Sequence, residues 1–511
     1  MQSENAPVLA MRHVTKSFPG VIANDDISLS LYSGEVHSLL GENGAGKSTL
    51  MNILYGLQQP DTGEIHLHGR RVRLHSPADA IRHGIGMIHQ HFMLVPTLTV
   101  AENVALGLKS HRSPFVGMKA VSRRIRELAE QYRLQVDPQA YVWQLAVGER
   151  QRIEIIKALY RDASILILDE PTAVLTPPEI DDLLTTFKQM VQDGKSMIFI
   201  SHKLNEVLQI SDRITVLRHG RITGETRPAA TDREQLAQMM VGRQVDLSPR
   251  WQKVEPGAVM LDIDGLFARG DRGGDAVRNL RLQVKSGEIV GIAGVSGNGQ
   301  RELAETISGL RKARLGRVKI NGTLLDSTSP KAARRAGLAY VPEERMRDGA
   351  IGDFNIKENL ILLDHGQKRF CRPGGVLRQA TIKKHCNRLV DEFRVKTPDL
   401  DTPTKHLSGG NIQKLILARE LSANPKVLIA AQPTRGVDIG AAEYIHQRLV
   451  EERARGTATV VISEDLDEIM ALSDRIAVMY EGQIMGIVDR HDVSRKELGL
   501  MMAGVRPASA A

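Results

Sequence analysis

A chain that repeats itself can fold as two copies of one domain, and this sequence repeats over almost its whole length. Gly41-Glu42-Asn43-Gly44-Ala45-Gly46-Lys47-Ser48 in the first half and Gly294-Val295-Ser296-Gly297-Asn298-Gly299-Gln300-Arg301 in the second share a glycine frame, 253 positions apart. Gln90 and Glu343 keep the same spacing. Later landmarks fall 262 apart: Leu145 and Leu407, Asp169 and Ala431, His202 and Glu464, and Met239-Met240-Val241-Gly242 with Met501-Met502-Ala503-Gly504. The nine-residue difference predicts one net insertion between Glu343 and Leu407. Two copies are too few for a solenoid. The repeat therefore predicts paired domains over residues 6–243 and 258–505, joined by a short polar linker at 244–257.

Of the 511 residues, 42% are hydrophobic and 25% charged, which suits globular domains each able to bury a core. No run approaches 18 apolar residues, so no segment is expected to span a membrane. The opening Met1-Gln2-Ser3-Glu4-Asn5 has neither the basic stretch nor the apolar core of a secretory signal. The two cysteines, Cys371 and Cys386, lack partners at metal-ligand spacing, which fits a reducing compartment. A net charge of +8 raises nucleic acid or anionic lipid as partners, but the basic residues are scattered, as a solvated surface requires.

Each half reads as strand, loop, helix, a helical stretch, then strands again. Residues 35–40 predict a strand entering the glycine loop and 48–57 the helix leaving it. Residues 164–168 and 197–200 are short apolar runs of the kind buried in parallel sheets. Stretches near 101–160 and 354–420 are mostly helical in pattern. The expected fold class is α/β, in two tandem domains each with a helical insert.

The first loop is suited to a nucleoside triphosphate. Its glycines let successive backbone N–H groups turn toward phosphates, and the following helix adds partial positive charge. In such a loop Lys47 reaches the β- and γ-phosphates and the Ser48 hydroxyl ligates Mg²⁺. The apolar strand Ile165-Leu166-Ile167-Leu168 ends in Asp169 and Glu170, placing one acid beside the metal and the other where water attacks. On its own that run is equally a strand leaving a core, and a histidine such as His202 is by itself more often an incidental surface residue than a catalytic one. Their order after a phosphate loop favours the site.

With these residues in place, the chain resembles the ATP-binding subunits of ABC transporters. Leu407-Ser408-Gly409-Gly410-Asn411-Ile412-Gln413 resembles the signature motif of that family, Gln90 its Q-loop and His202 its switch histidine. The resemblance implies tandem P-loop NTPase domains that bind ATP with Mg²⁺. It implies that Gly41 to Ser48 and Thr49 hold the nucleotide, and that Ser48, Gln90 and Asp169 serve the metal. Lys47, Gln90, Glu170 and His202 would act in hydrolysis, with Glu170 as general base. Ser408, Gly409 and Gly410 would close over the γ-phosphate from the opposite domain. Phe18 is either the ring that stacks on adenine or a core phenylalanine.

The halves differ in what they have lost. The first keeps Lys47, Ser48, Gln90, Asp169, Glu170 and His202, but its signature has decayed to Leu145-Ala146-Val147-Gly148-Glu149, and Thr176 stands where the second half has Asp438. The second keeps its signature and carries Gln300, Arg301, Glu343, Ala431, Gln432 and Glu464 at the catalytic positions. Head-to-tail packing of the halves would build one composite hydrolytic site from the first loop and the second signature. The other site would keep only a backbone cradle, with Gln300 and Arg301 facing the phosphates and Glu464 adding like charge.

Two fused domains of this kind resemble the importers of simple sugars and their nucleoside-importing relatives. Residues 90–100, 148–155, 430–436 and 463–466 are similar to the nucleoside branch. Membership implies two transmembrane permease subunits, an extracytoplasmic substrate-binding protein, and a peripheral position on the cytoplasmic face of the membrane, with no nucleic acid partner. Soluble two-domain ABC proteins that act on ribosomes or DNA are the other class, but they typically carry a long charged helical linker and two working sites.

Overall fold

The computed structural model describes residues 6–89, 92–108, 117–145, 147–172, 175–201, 203–245, 249–271, 273–325 and 329–505. The chain divides into two compact units, residues 1–245 and 246–511.

The first unit is built on a six-stranded sheet in the order Arg221–Thr226, Arg213–Arg218, Val36–Gly41, Ser196–Ile200, Ile165–Asp169, Ile85–Ile88. The first two strands pair antiparallel and the others run parallel. Helices and a second sheet cover both faces, which is why the inner strands are apolar runs without alternation. Ile165 to Leu168 and Met197 to Ile200 are at most 1% exposed. The second sheet is antiparallel, in the order Val21–Leu31, Leu9–Phe18, Thr62–Leu67, Arg70–Val72. Between the two sheets lie Leu50, Met51, Ile53 and Leu54 of the helix Lys47–Leu54, packed with Leu9, Met11, Ile27, Ile167 and Ile198 in one core. That helix begins and ends earlier than the sequence pattern predicts, because Tyr55 caps it and Gly56 follows at φ 76°. The helical stretch resolves into Val100–Ala105, Met118–Gln131 and Val147–Tyr160.

The second unit repeats this plan strand for strand. Its parallel sheet runs Leu338–Val341, Val427–Ala431, Ala458–Ser463, Ile289–Ala293, Arg475–Tyr480, with Gln483–Asp489 antiparallel at the edge. Backbone oddities repeat too. Asp26, His68, Asp162, Glu170 and His219 have positive φ, as do their counterparts Asn279, Asn321, Asn424, Gln432 and Glu481. The expectation of a single insertion is corrected. Thr99 and Asn355, which cap equivalent helices through matching capping boxes, stand 256 apart. The helices Met118–Gln131 and Val147–Tyr160 stand 261 and 262 before Gln379–Glu392 and Gly409–Leu421. Three residues are therefore added around the wide π turn Arg345–Gly349, five between Ile361 and Gln379, and one more before Leu407. Equal end-point spacings bracket such changes without locating them.

Part of the expected linker belongs to the second unit. Trp251 donates its indole N–H to the Ala471 carbonyl at 3.1 Å and is flanked by the guanidinium groups of Arg453 and Arg490 at 4.7 and 4.3 Å. Among the described residues no helix is long and apolar enough to cross a membrane.

Candidate nucleotide site

In the first unit the motif residues gather at the carboxyl ends of the parallel strands, where open α/β sheets bind ligands. The loop leaves the Val36–Gly41 strand, and three of its glycines are there for different reasons. At Gly41 a Cβ would lie 2.5 Å from the Leu217 carbonyl oxygen. At Gly46, with φ 103°, it would lie 2.2 Å from the Ala23 oxygen. Gly44 has open space around it but a left-handed φ of 79°. The buried Asn24 side chain donates to the Gly46 carbonyl at 3.1 Å, and Gly220 N–H to the Ala45 carbonyl at 3.1 Å, so the loop is braced from a strand and from a hairpin turn. Asn43, Gly44 and Ser48 are exposed, Glu42 and Thr49 half-buried.

Lys47 starts the helix and is itself buried. Its ammonium donates to the carbonyls of Gly41 at 2.7 Å and Glu42 at 3.0 Å, folding back across the loop. Burial lowers its pKa below the ordinary lysine value, while the charges of Glu170, Asp169 and Glu42 pull it up. The loop and the two acids thus share one electrostatic site. Asp169 ends its strand opposite Ile200, and both acids are half-buried. Glu170 has φ 49° and donates its backbone N–H to Ile200 at 2.9 Å. A left-handed glutamate is strained, and such strain collects where a side chain must be aimed. Gln90 and His202 lie outside the described residues, as do Ala146, Ala173 and Val174. Phe18 ends the Leu9–Phe18 strand and is 39% exposed, with the Lys16 ammonium 5.7 Å from its ring centre, so the core alternative does not hold.

One cluster escaped the sequence reading. Behind the acids, buried Glu206 accepts a hydrogen bond from the Thr172 hydroxyl and lies 3.4 Å from that of Ser201, while Lys203 pairs with it at 3.3 Å. It ties the turn after Glu170 to the end of the next strand. The repeat carried the signal, because Thr434, Ser463 and Glu468 recur at the same 262-residue offset. There Thr434 donates to Glu468 at 2.6 Å and His446 lies 2.9 Å from it. Burial opposes ionisation of Glu468, but the bonds from His446, Ser463 and Thr434 hold its pKa below the ordinary value.

The second unit keeps the loop's backbone and changes its chemistry. Gly299 has φ 98°, and a Cβ there would lie 2.1 Å from the Ala276 oxygen, as at Gly46. Gln300 is buried like Lys47 and donates its amide to the Val295 carbonyl at 3.0 Å, a neutral imitation of the lysine contact with Glu42. Arg301 turns along its helix to Glu305 at 2.8 Å and lies 3.8 Å from Asp271. Arg311 pairs with the same two acids at 2.7 Å each. Asp271 follows Gly270, whose N–H donates to the Gly274 carbonyl at 2.7 Å, and it stands 253 positions after Phe18, so the second half has an acid where the first has the ring. Glu343 is ion-paired to Arg435, and Gln432 repeats the left-handed backbone of Glu170 without the acid.

The signature segment of the second unit opens a long helix, Gly409–Leu421, with Ser408 exposed at its N-cap. A Cβ at Gly410 would meet Ala441 Cβ at 2.9 Å and an Asp438 carboxylate oxygen at 3.0 Å. Asp438 does not reach out from the fold; it caps the helix Ile439–Ala454 by accepting from Ala441 N–H at 2.6 Å. Thr176 caps the equivalent helix in the first unit, in a capping box with Glu179. An exposed hydroxyl and glycine N–H groups at a helix N-terminus have the chemistry that phosphate-binding edges use.

The ABC transporter family profile matches residues 24–173 and 277–435. The chain is similar to the guanosine import ATP-binding protein NupO of Bacillus subtilis, 47% identical over 97% of each chain. It is similar to the nucleoside import ATP-binding protein NupA of Lactococcus lactis subsp. cremoris, 45% identical over 98% of this chain and 99% of that one. It is also similar to the glucose import ATP-binding protein TsgD13 of Haloferax volcanii, 47% identical over 99% of this chain and 97% of that one.

Proposed function

We propose that this chain, which belongs to the ABC transporter family and is an ATPase, energises nucleoside import across the cytoplasmic membrane. The observation that carries the reading is end-to-end similarity to a guanosine and a nucleoside importer subunit, in a chain whose first unit keeps the acid, lysine and braced loop for ATP. One hydrolytic site serves each chain. In it, Lys47 and the loop N–H groups hold the β- and γ-phosphates, and Glu170 accepts the proton of the attacking water. Ser48 and Asp169 suit Mg²⁺, whose charge would offset that of the phosphates; by the family resemblance Gln90 would join them. His202 is the residue assigned to the γ-phosphate, and Ser408, Gly409 and Gly410 give the second unit an edge of its own suited to phosphate.

The partners are two transmembrane permeases and an extracytoplasmic binding protein, with the chain peripheral on the cytoplasmic face. Met93, Val95, Tyr141 and Trp143 are exposed next to the Gln90 stretch in sequence or through the Trp143 N–H bond to Pro96 at 3.1 Å. This apolar patch is the face we assign to a permease. The similarity to a glucose importer subunit keeps sugar import as the second reading. Uptake of labelled nucleosides and sugars by vesicles carrying the complex, with the chain intact or as Lys47→Ala, decides between them. Loss of nucleoside uptake alone supports the proposal; loss of sugar uptake alone would replace it with the second reading.

A further inference from the structure

One helix holds both polar groups of a single backbone position, just where the chain has passed Gln90. The Met93 N–H donates to the Glu154 carboxylate at 2.7 Å, and the Lys157 ammonium donates to the Met93 carbonyl at 3.0 Å. Glu154 and Lys157 lie one turn apart on the helix Val147–Tyr160, with 3.7 Å between their charges. The Glu154 side chain is only 3% exposed, whereas the Met93 side chain points outward, 60% exposed. A buried carboxylate with a charge-assisted bond to a loop amide is a stiff connection, because breaking it strands the charge. Burial raises the Glu154 pKa, and Lys157 and the Met93 amide oppose the rise.

The connection continues on the other side of Gln90. His89, whose pKa is lowered by burial and by the Lys157 charge, packs edge-on against Tyr55 with ring centres 5.9 Å apart. Tyr55 caps the helix that begins at Lys47. His89 is thus packed on the phosphate-loop helix, and Met93 is bonded to the helical insert. The second half has Ile416 and Arg419 at the positions of Glu154 and Lys157, so the acid that makes the clasp occurs only in the half that keeps the catalytic residues.

We propose that Glu154 and Lys157 are positioning residues that couple the permease-facing Met93 to the helix Val147–Tyr160, so that the insert and the chain after Gln90 move together. The proposal rests on the importer reading, and the test separates the two. In the reconstituted complex, phosphate release is measured with and without nucleoside-loaded binding protein. Glu154→Ile, the residue of the second half, is expected to lower the stimulation ratio about fivefold with the KM for ATP unchanged. Glu154→Gln, whose amide oxygen can still accept the Met93 N–H, is expected to recover most of it. Exchange of the Met93 amide in the same complex should be about tenfold faster in Glu154→Ile than in the natural chain. Unchanged stimulation or unchanged Met93 exchange in Glu154→Ile overturns the clasp, as does a proportional fall of basal and stimulated rates. A natural chain with no nucleoside stimulation overturns the importer reading instead, while Met93 exchange still reports on the clasp.

Discussion

Glu170 and Gln432 share a left-handed backbone, at φ 49° and 48°, although only one is an acid. The geometry therefore belongs to the fold and the carboxylate to the chemistry. Replacing Glu170 by Gln should lower the ATP turnover number by about a hundredfold or more while ATP stays bound, as single-turnover kinetics and nucleotide retention would show. The loop glycines separate two kinds of cost. Gly44→Ala meets no neighbour and should cost about 1 kcal/mol for its backbone alone. Gly46→Ala places a methyl 2.2 Å from the Ala23 oxygen at φ 103°, so the strand beside the loop must shift. Its cost should be about 3 kcal/mol in denaturant unfolding, with loss of ATP binding.

At the scale of elements, Thr176 and Asp438 differ in chemistry at one repeat position, yet both sit at helix N-caps, Thr176 in a capping box with Glu179 and Asp438 accepting from Ala441 N–H. Thr176→Ala should destabilise the first unit by about 1 kcal/mol, and Thr176→Asp should be nearly neutral, both read from thermal unfolding. The inner strands were legible because burial on both faces writes them as apolar runs, and the loop because its glycines are needed for contact and backbone. The C-terminal end of the loop helix was read too long, since Gly56 stops it before the apolar pattern does. The Glu154–Met93 bond joins residues 61 apart and leaves no local pattern. The Glu206 cluster was readable only by laying one half on the other. Phe18 stayed ambiguous because a ring at a strand end looks the same in either role until its exposure is known.

For the molecule as a whole, duplication fixed the architecture and freed one copy to change its chemistry. The second loop keeps its φ angles and its close approach to Ala276, yet Gln300 brings no charge and Arg301 is engaged with Glu305. On the proposed reading, a neutral amide and a diverted arginine would leave a bound triphosphate only backbone donors, too little for charge stabilisation during transfer. The direct test is phosphate release per chain by the intact complex, comparing Glu170→Gln with Gln432→Ala. The account predicts near-complete loss in the first and the natural rate in the second; comparable losses in both would contradict it.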